Sequence, residues 1–259
     1  MTHPPTLVFD IETVPDLDGA RRILGMESAN DDAVAAAMTT IRRAEKGTDF
    51  QPAHLQRVVA ISCCLRAGEA FRCWSIGDET AGEEELIQRF FDGIEKYRPT
   101  LVTWNGGGFD LPVLHYRALI HGVKAQAYWD TGLFDRESKF NNYLKRYEFR
   151  HTDLMDVLAL YTGRQNAPLH EIALLLGLPG KIGMDGSQVF GAWRAGRLAE
   201  IRAYCETDVM NTWLVYLRFQ AMRGHLSDDE YESEILRARE FLETSDAPHW
   251  AEFAANWNE

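Results

Sequence analysis

Asp10 and Glu12 stand two positions apart in TLVFDIET, Asp110 lies in TWNGGGFDLPVL, and Tyr204 and Asp208 stand four positions apart in RAYCETDVMNTWLVYLR. Acids drawn together from three such segments repel one another. At ~4 Å an ionised pair is unfavourable by about 1 kcal/mol in water and about 4 kcal/mol at an effective dielectric near 20, so it needs a cation or a shared proton. Oxygen donors of this kind suit the hard divalent ions Mg²⁺ and Mn²⁺. Metal-dependent chemistry is therefore expected.

The elements that must position these groups can be read locally. Leu7-Val8-Phe9 marks a buried strand, and side chains two apart on a strand share a face, so Asp10 and Glu12 project side by side. From Leu198 to Phe219 the residues Ile201, Val209, Leu214, Val215 and Leu217 read as a helix of several turns. The four-residue spacing puts Tyr204 and Asp208 on one face of it. Leu101 to Trp104 reads as a strand, Asn105-Gly106-Gly107-Gly108 as a tight turn, and Asp110-Leu111-Pro112 as the opening of a helix that runs to about Ile120. Asp110 then sits at the end of a strand and the start of a helix, where an acid steadies the helix dipole whatever else it does.

Taken in order, D-x-E, N-x-x-x-F-D and Y-x-x-x-D resemble the DEDDy branch of the DnaQ-like 3′-to-5′ exonucleases. Within that superfamily the chain most resembles the proofreading domain of family B DNA polymerases and its stand-alone relatives. The resemblance covers Thr6 to Phe219, and Tyr204, where a sister branch carries histidine, assigns the tyrosine subtype. It implies an α/β fold of the RNase H-like kind, a mixed β-sheet flanked by helices, with Asp10 and Glu12 on a central strand. It also implies two divalent metal ions, Mg²⁺ or Mn²⁺. Asp10, Glu12 and Asp208 would hold the ion that activates the attacking water; Asp10 would reach the second, supported by Asp110. Tyr204 would orient the water, since a phenol with an ordinary pKa near 10 suits positioning better than proton removal at neutral pH. The product would be a nucleoside 5′-monophosphate. Asn105 and Phe109 match positions beside the substrate, and Thr13 and Val14 would line the terminal-nucleotide pocket. The three glycines after Asn105 would let backbone approach a sugar-phosphate, or serve the turn itself. Lys181 in LPGKIGMDGSQV is a candidate phosphate ligand, while His151, Asp153 and Asp156 in RHTDLMDVL read as supporting structure.

A length of 259 residues, with 46% hydrophobic and 25% charged, suits one large α/β domain. The formal net charge of −12 argues against a broad basic surface for gripping duplex nucleic acid. The partner expected is a nucleic-acid 3′ end, DNA before RNA, held locally and through metal. Apolar stretches are too short to cross a bilayer, and the chain opens without a signal-like segment, so a cytoplasmic protein is expected. Cys63, Cys64, Cys73 and Cys205 contain no C-x-x-C pair and read as buried free thiols.

Between the first two strands an insertion at about residues 16–56 includes an Ala-rich helix from Asp31 to Lys46. Its Arg42, Arg43 and Lys46 offer either phosphate contacts or a solvated face. Strands follow at Val58 to Leu65 and Ala70 to Trp74 across the hairpin signal Arg66-Ala67-Gly68-Glu69, then a helix from about Glu83 to Tyr97 and a strand near His151 to Leu154. Residues 1–223 form the expected exonuclease domain, and residues 224–259 a helical, acidic and aromatic C-terminal tail with Ser227 as N-cap. Trp250, Phe253 and Trp257 in that tail either pack back on the domain or bind a protein partner. Two other functions compete. FDIETV has the acidic opening of a haloacid-dehalogenase-type phosphatase, which leaves Y-x-x-x-D unexplained. A nucleic-acid-binding module without catalysis would not need the full set of carboxylates and the tyrosine.

Overall fold

The computed structural model describes residues 5–258; the opening residues, in which no signal-like segment is read, lie outside them up to residue 4. The strands are β1 (Thr6–Pro15), β2 (Gln56–Ala67), β3 (Ala70–Ser75), β4 (Thr100–Thr103) and β5 (His151–Asp153). They form one mixed sheet in the order β3-β2-β1-β4-β5, with β1 antiparallel to β2 and parallel to β4. The strand carrying Asp10 and Glu12 is thus the central one. β2 outruns the Val58 to Leu65 apolar run because Arg57 and Gln56 continue the pairing opposite Val14 and Pro15.

Helices cover both faces: α1 (Leu17–Leu24), α2 (Asp31–Lys46), α3 (Glu83–Tyr97), α4 (Asp110–His121), α5 (Gln126–Trp129), α6 (Leu154–Leu158), α7 (Leu169–Leu175), α8 (Val189–Arg194), α9 (Leu198–Met222), α10 (Asp228–Thr244) and α11 (Pro248–Asn256). The two-residue alternation of β1 decides which helix meets which side chain. Leu7, Phe9 and Ile11 enter a core with Leu86, Phe90 and Ile94 of α3 and Leu111 and Leu114 of α4. Val8 faces the other way, into a core with Val209, Met210 and Trp213 of α9. Asp10 and Glu12 continue the Val8 row and so look toward α9. That helix is buried around most of its circumference, as expected of one packed between a sheet and further helices.

The insertion holds two helices rather than one. Asp16 caps α1 and Asn30 caps α2 through their side chains, and Leu17, Ala20, Val34 and Met38 form a small core of their own. The basic residues of α2 are largely used within the protein: Arg42 donates to the Phe50 carbonyl at 2.8 Å and Arg43 pairs with Asp49. A buried ion network ties the insertion to the body. Arg117 of α4, 4% exposed, bridges Asp16 and Glu83, and Glu83 also accepts the Val58 amide at 2.7 Å.

The tail is built into the second core. Ser227 and Glu230 form a capping box at the start of α10, Glu234 takes a bidentate hydrogen bond from Arg66, and Trp250 and Phe253 are 2% and 0% exposed. His249 Nε2 meets Glu206 of α9 at 2.9 Å. The aromatic side chains that a partner-binding arm would have offered are therefore packed against α9 and the sheet. Among the described residues no helix is long and apolar enough to cross a membrane.

Candidate active site

The acids predicted from three segments come together where β1 outruns β4. The two strands pair only from Thr6 to Val8, so beyond Val8 the β4 side of β1 is open. Asp110, at the first turn of α4, closes this gap: its Oδ1 accepts the Ile11 amide at 3.1 Å. Asp110, Glu12 and Asp208 all stand close enough to Asp10 to act on it through space. Tyr204, one turn before Asp208 on α9, is 4% exposed and stands beside the Asp208 carboxylate, whose charge acts on its phenol.

Burial, with the charges of Asp110, Glu12 and Asp208, pushes the Asp10 carboxyl well above its ordinary value. Burial and then Asp208 do the same to Glu12. Asp110 is pushed up to about 7 by burial, against the pull of backbone donors, and Asp208 to about 6 by burial, against the ammonium of Lys181. Burial and the neighbouring carboxylates push the Tyr204 phenol up as well, so it stays protonated. Asp208 Oδ1 is buried and, among the described residues, has no hydrogen-bond partner. An acceptor in that state bears its desolvation cost uncompensated. A group of oxygen donors that resists ionisation and keeps one oxygen unpaired fits a hard divalent cation, which would supply the missing positive charge.

Cys205 also belongs to this place. Donor atoms of Asp10, Glu12 and Cys205 lie within 4.8 Å of one another. The thiol is buried, its pKa is pushed far up, and it faces the Asp10 carbonyl at 3.5 Å and Asp10 Oδ2 at 3.8 Å. A protonated thiol is a poor ligand for a hard ion, so Cys205 is a packing group beneath Asp10. From sequence it reads only as a buried thiol. Its spacing three residues before Asp208 carries the signal that the two are neighbours on the helix.

Lys181 reaches the cluster, with Nζ 5.5 Å from the centre of the Tyr204 ring. Asn105 and Phe109 flank the turn that leads to Asp110. Asn105 adopts the left-handed region, φ 65°, and its amide donates to Asp153 Oδ1 at 2.9 Å, while the Gly107 amide donates to Asp153 Oδ2 at 2.8 Å. Asp153 thus holds the turn. The turn itself uses two of the glycines: a Cβ on Gly106 would lie 2.5 Å from Thr103, and one on Gly108 would lie 2.5 Å from Asn105 Oδ1. Phe109 packs against Phe50 of the insertion, ring centres 5.2 Å apart. Thr13 is half-buried, its hydroxyl donating to Gln56 at 3.0 Å. Val14 departs from expectation. It is fully buried among Val59, Val189, Ile201 and Tyr204, so it cannot line an open pocket, because it continues the inward row of Val8, Asp10 and Glu12.

Residues 48–257 match a family described as predicted 3′-5′ exonuclease related to the exonuclease domain of PolB. The chain belongs to that family. The matched span contains Asp110, Tyr204 and Asp208; Asp10 and Glu12 precede it and are brought to the same place by β1. In sequence, 54 residues are 44% identical to the DNA polymerase epsilon catalytic subunit of Saccharomyces cerevisiae, covering 20% of this chain and 2% of that protein. A stretch of 37 residues is 57% identical to DNA polymerase 1 of Sulfurisphaera ohwakuensis, 14% of this chain and 4% of that one. In structure, the family B DNA polymerase from the hyperthermophilic archaeon Pyrobaculum calidifontis superposes with a TM-score of 0.51 at 18% identity, over 82% of this chain and 24% of the polymerase. That likeness establishes the fold. The chain spans a small fraction of the length of each of these relatives.

Proposed function

We propose that this chain hydrolyses phosphodiester bonds one at a time from the 3′ end of single-stranded DNA, releasing nucleoside 5′-monophosphates. The observation that carries this reading is the half-buried Asp10 set among buried Glu12, Asp110 and Asp208, with one Asp208 oxygen unpartnered among the described residues and a protonated phenol beside the same carboxylate. Two divalent ions, Mg²⁺ or Mn²⁺, would supply an activated water and neutralise charge developing on the leaving oxygen. Asp10, Glu12 and Asp208 would hold one, and Asp10 with Asp110 the other. Tyr204 orients: its hydroxyl stays protonated and so can donate to, or accept from, a water without removing its proton. Lys181, exposed and at the edge of the cluster, would meet a phosphate of the terminal nucleotides. The sequence matches to DNA polymerases favour DNA over RNA. The C-terminal helices α10 and α11, packed against α9, would brace the helix that carries Tyr204 and Asp208.

Incubation with 5′-labelled single-stranded DNA and RNA, in Mg²⁺, Mn²⁺ or chelator, tests the reading. A descending ladder from the DNA strand, lost with chelator, is expected. Discrete internal cuts, or degradation of a strand whose 3′ end is blocked, would overturn it.

A further inference from the structure

Lys181 lies in a segment with little regular structure between α7 and α8, with Gly177, Gly180, Gly183 and Gly186 around it. A long, rotamer-rich side chain on such a loop would ordinarily be spread over many positions. Here the backbone beneath it is fixed from two helices. Asn211 of α9, fully buried, holds Gly180 from both sides: the Gly180 amide donates to Asn211 Oδ1 at 3.1 Å, and Asn211 Nδ2 donates to the Gly180 carbonyl at 2.8 Å. His170 of α7 holds the next residue, its Nδ1 accepting the Lys181 amide at 3.0 Å. Gly180 is required by this arrangement, for it sits at φ +67° and a Cβ there would lie 2.6 Å from His170 Nδ1. A ring nitrogen that accepts carries no proton, so the bond sets the His170 tautomer, with the proton on Nε2 in the neutral ring. Among the described residues no ion pair takes the Lys181 ammonium, although it is felt by Asp10, Glu12 and Asp208.

We infer that His170 is a positioning residue: by accepting the Lys181 amide at Nδ1, with Asn211 clamping Gly180 beside it, it aims the Lys181 ammonium at the substrate side of the carboxylate cluster. The inference rests on the exonuclease reading and adds a residue to it. The role belongs to one ring nitrogen, and this makes it separable from bulk. The Oδ1 of asparagine can stand where Nδ1 stands, whereas glutamine places its oxygen where Nε2 stands.

His170→Asn and His170→Gln are compared with the unaltered protein in two measurements. One is single-turnover trimming of a 5′-labelled strand. The other is deuterium exchange over residues 178–184. His170→Gln is expected to slow trimming by about 10- to 100-fold, the scale for misplacing a group by about an ångström, with the Mg²⁺ concentration for half activity unmoved. His170→Asn should recover most of that loss. In a Lys181→Ala background, His170→Gln should cost little more, because both changes remove one interaction. Exchange should quicken in the Gln variant and stay slow in the Asn variant. Equal losses in the two His170 variants, a Gln variant as fast as the unaltered protein, or losses that multiply with Lys181→Ala would each overturn the inference. An unaltered protein that trims nothing while exchange still separates Asn from Gln would instead overturn the exonuclease reading, and the positioning role with it, leaving only a structural hydrogen bond.

Discussion

Asp10→Asn should make the metal-free protein more stable while removing its activity, two effects of opposite sign from one atom replacement. Donor oxygens of Asp10 and Glu12 come within 4.8 Å, and at an effective dielectric near 20 two charges at that distance repel by about 3.5 kcal/mol. Asp110 and Asp208 add to the repulsion on Asp10. Shared protons relieve part of it, so a gain of about 2–4 kcal/mol is expected at pH 8 in chelator, or roughly 5–10 °C in melting temperature for a domain of this size. The sign with pH follows from the direction of the shifts. Folded-state values are raised, so the folded protein binds these protons more tightly than the unfolded chain, and stability present at low pH is lost as pH rises through about 6 for Asp208 and about 7 for Asp110. The advantage of Asp10→Asn should therefore be small at pH 5 and full at pH 8. Added Mg²⁺ should stabilise the unaltered protein and the variant much less, since ligand binding to the folded state adds stability in proportion to affinity. Thermal unfolding at both pH values, with chelator or Mg²⁺, gives the stability; the 5′-labelled strand gives the rate, expected to fall by roughly 10³-fold or more. A folded variant that is less stable than the unaltered protein at pH 8 in chelator, or that keeps its turnover, would refute the charge-cluster account.

Tyr204→Phe should lower the rate at saturating substrate with little change in metal requirement, whereas Asp208→Asn should raise the metal concentration for half activity; a metal titration of each variant checks the division. Arg117→Ala should cost about 3–5 kcal/mol in urea unfolding, because it takes the guanidinium charge from between the buried carboxylates of Asp16 and Glu83. Trp250→Ala should cost about 3–5 kcal/mol by leaving a cavity under the tail, and a loss below about 1 kcal/mol would show that the tail is not part of the core.

Local spacing alone determined much of this protein. Asp10 and Glu12 share a face because strands repeat every two residues, and Tyr204 and Asp208 share one because helices repeat every three to four. Helix limits near Asp31, Lys46, Glu83 and Tyr97 were legible from local composition, and the three motifs in order pointed to the family. What the sequence did not show depends on contacts between distant segments. Asp110 reaches Ile11, 99 residues away, only because β4 stops short of β1 in the assembled sheet. Alternation along β1 puts Val14 on the face of Asp10 and Glu12, but that α8 and α9 close over that end of the strand and bury it is a matter of tertiary packing. Cys205 joins the acids because α9 crosses β1 at Asp10, and Lys181 joins them because His170 and Asn211 hold its loop. Periodicity fixes which side chains leave an element together; the order of the strands and the crossing of α9 decide what those side chains meet.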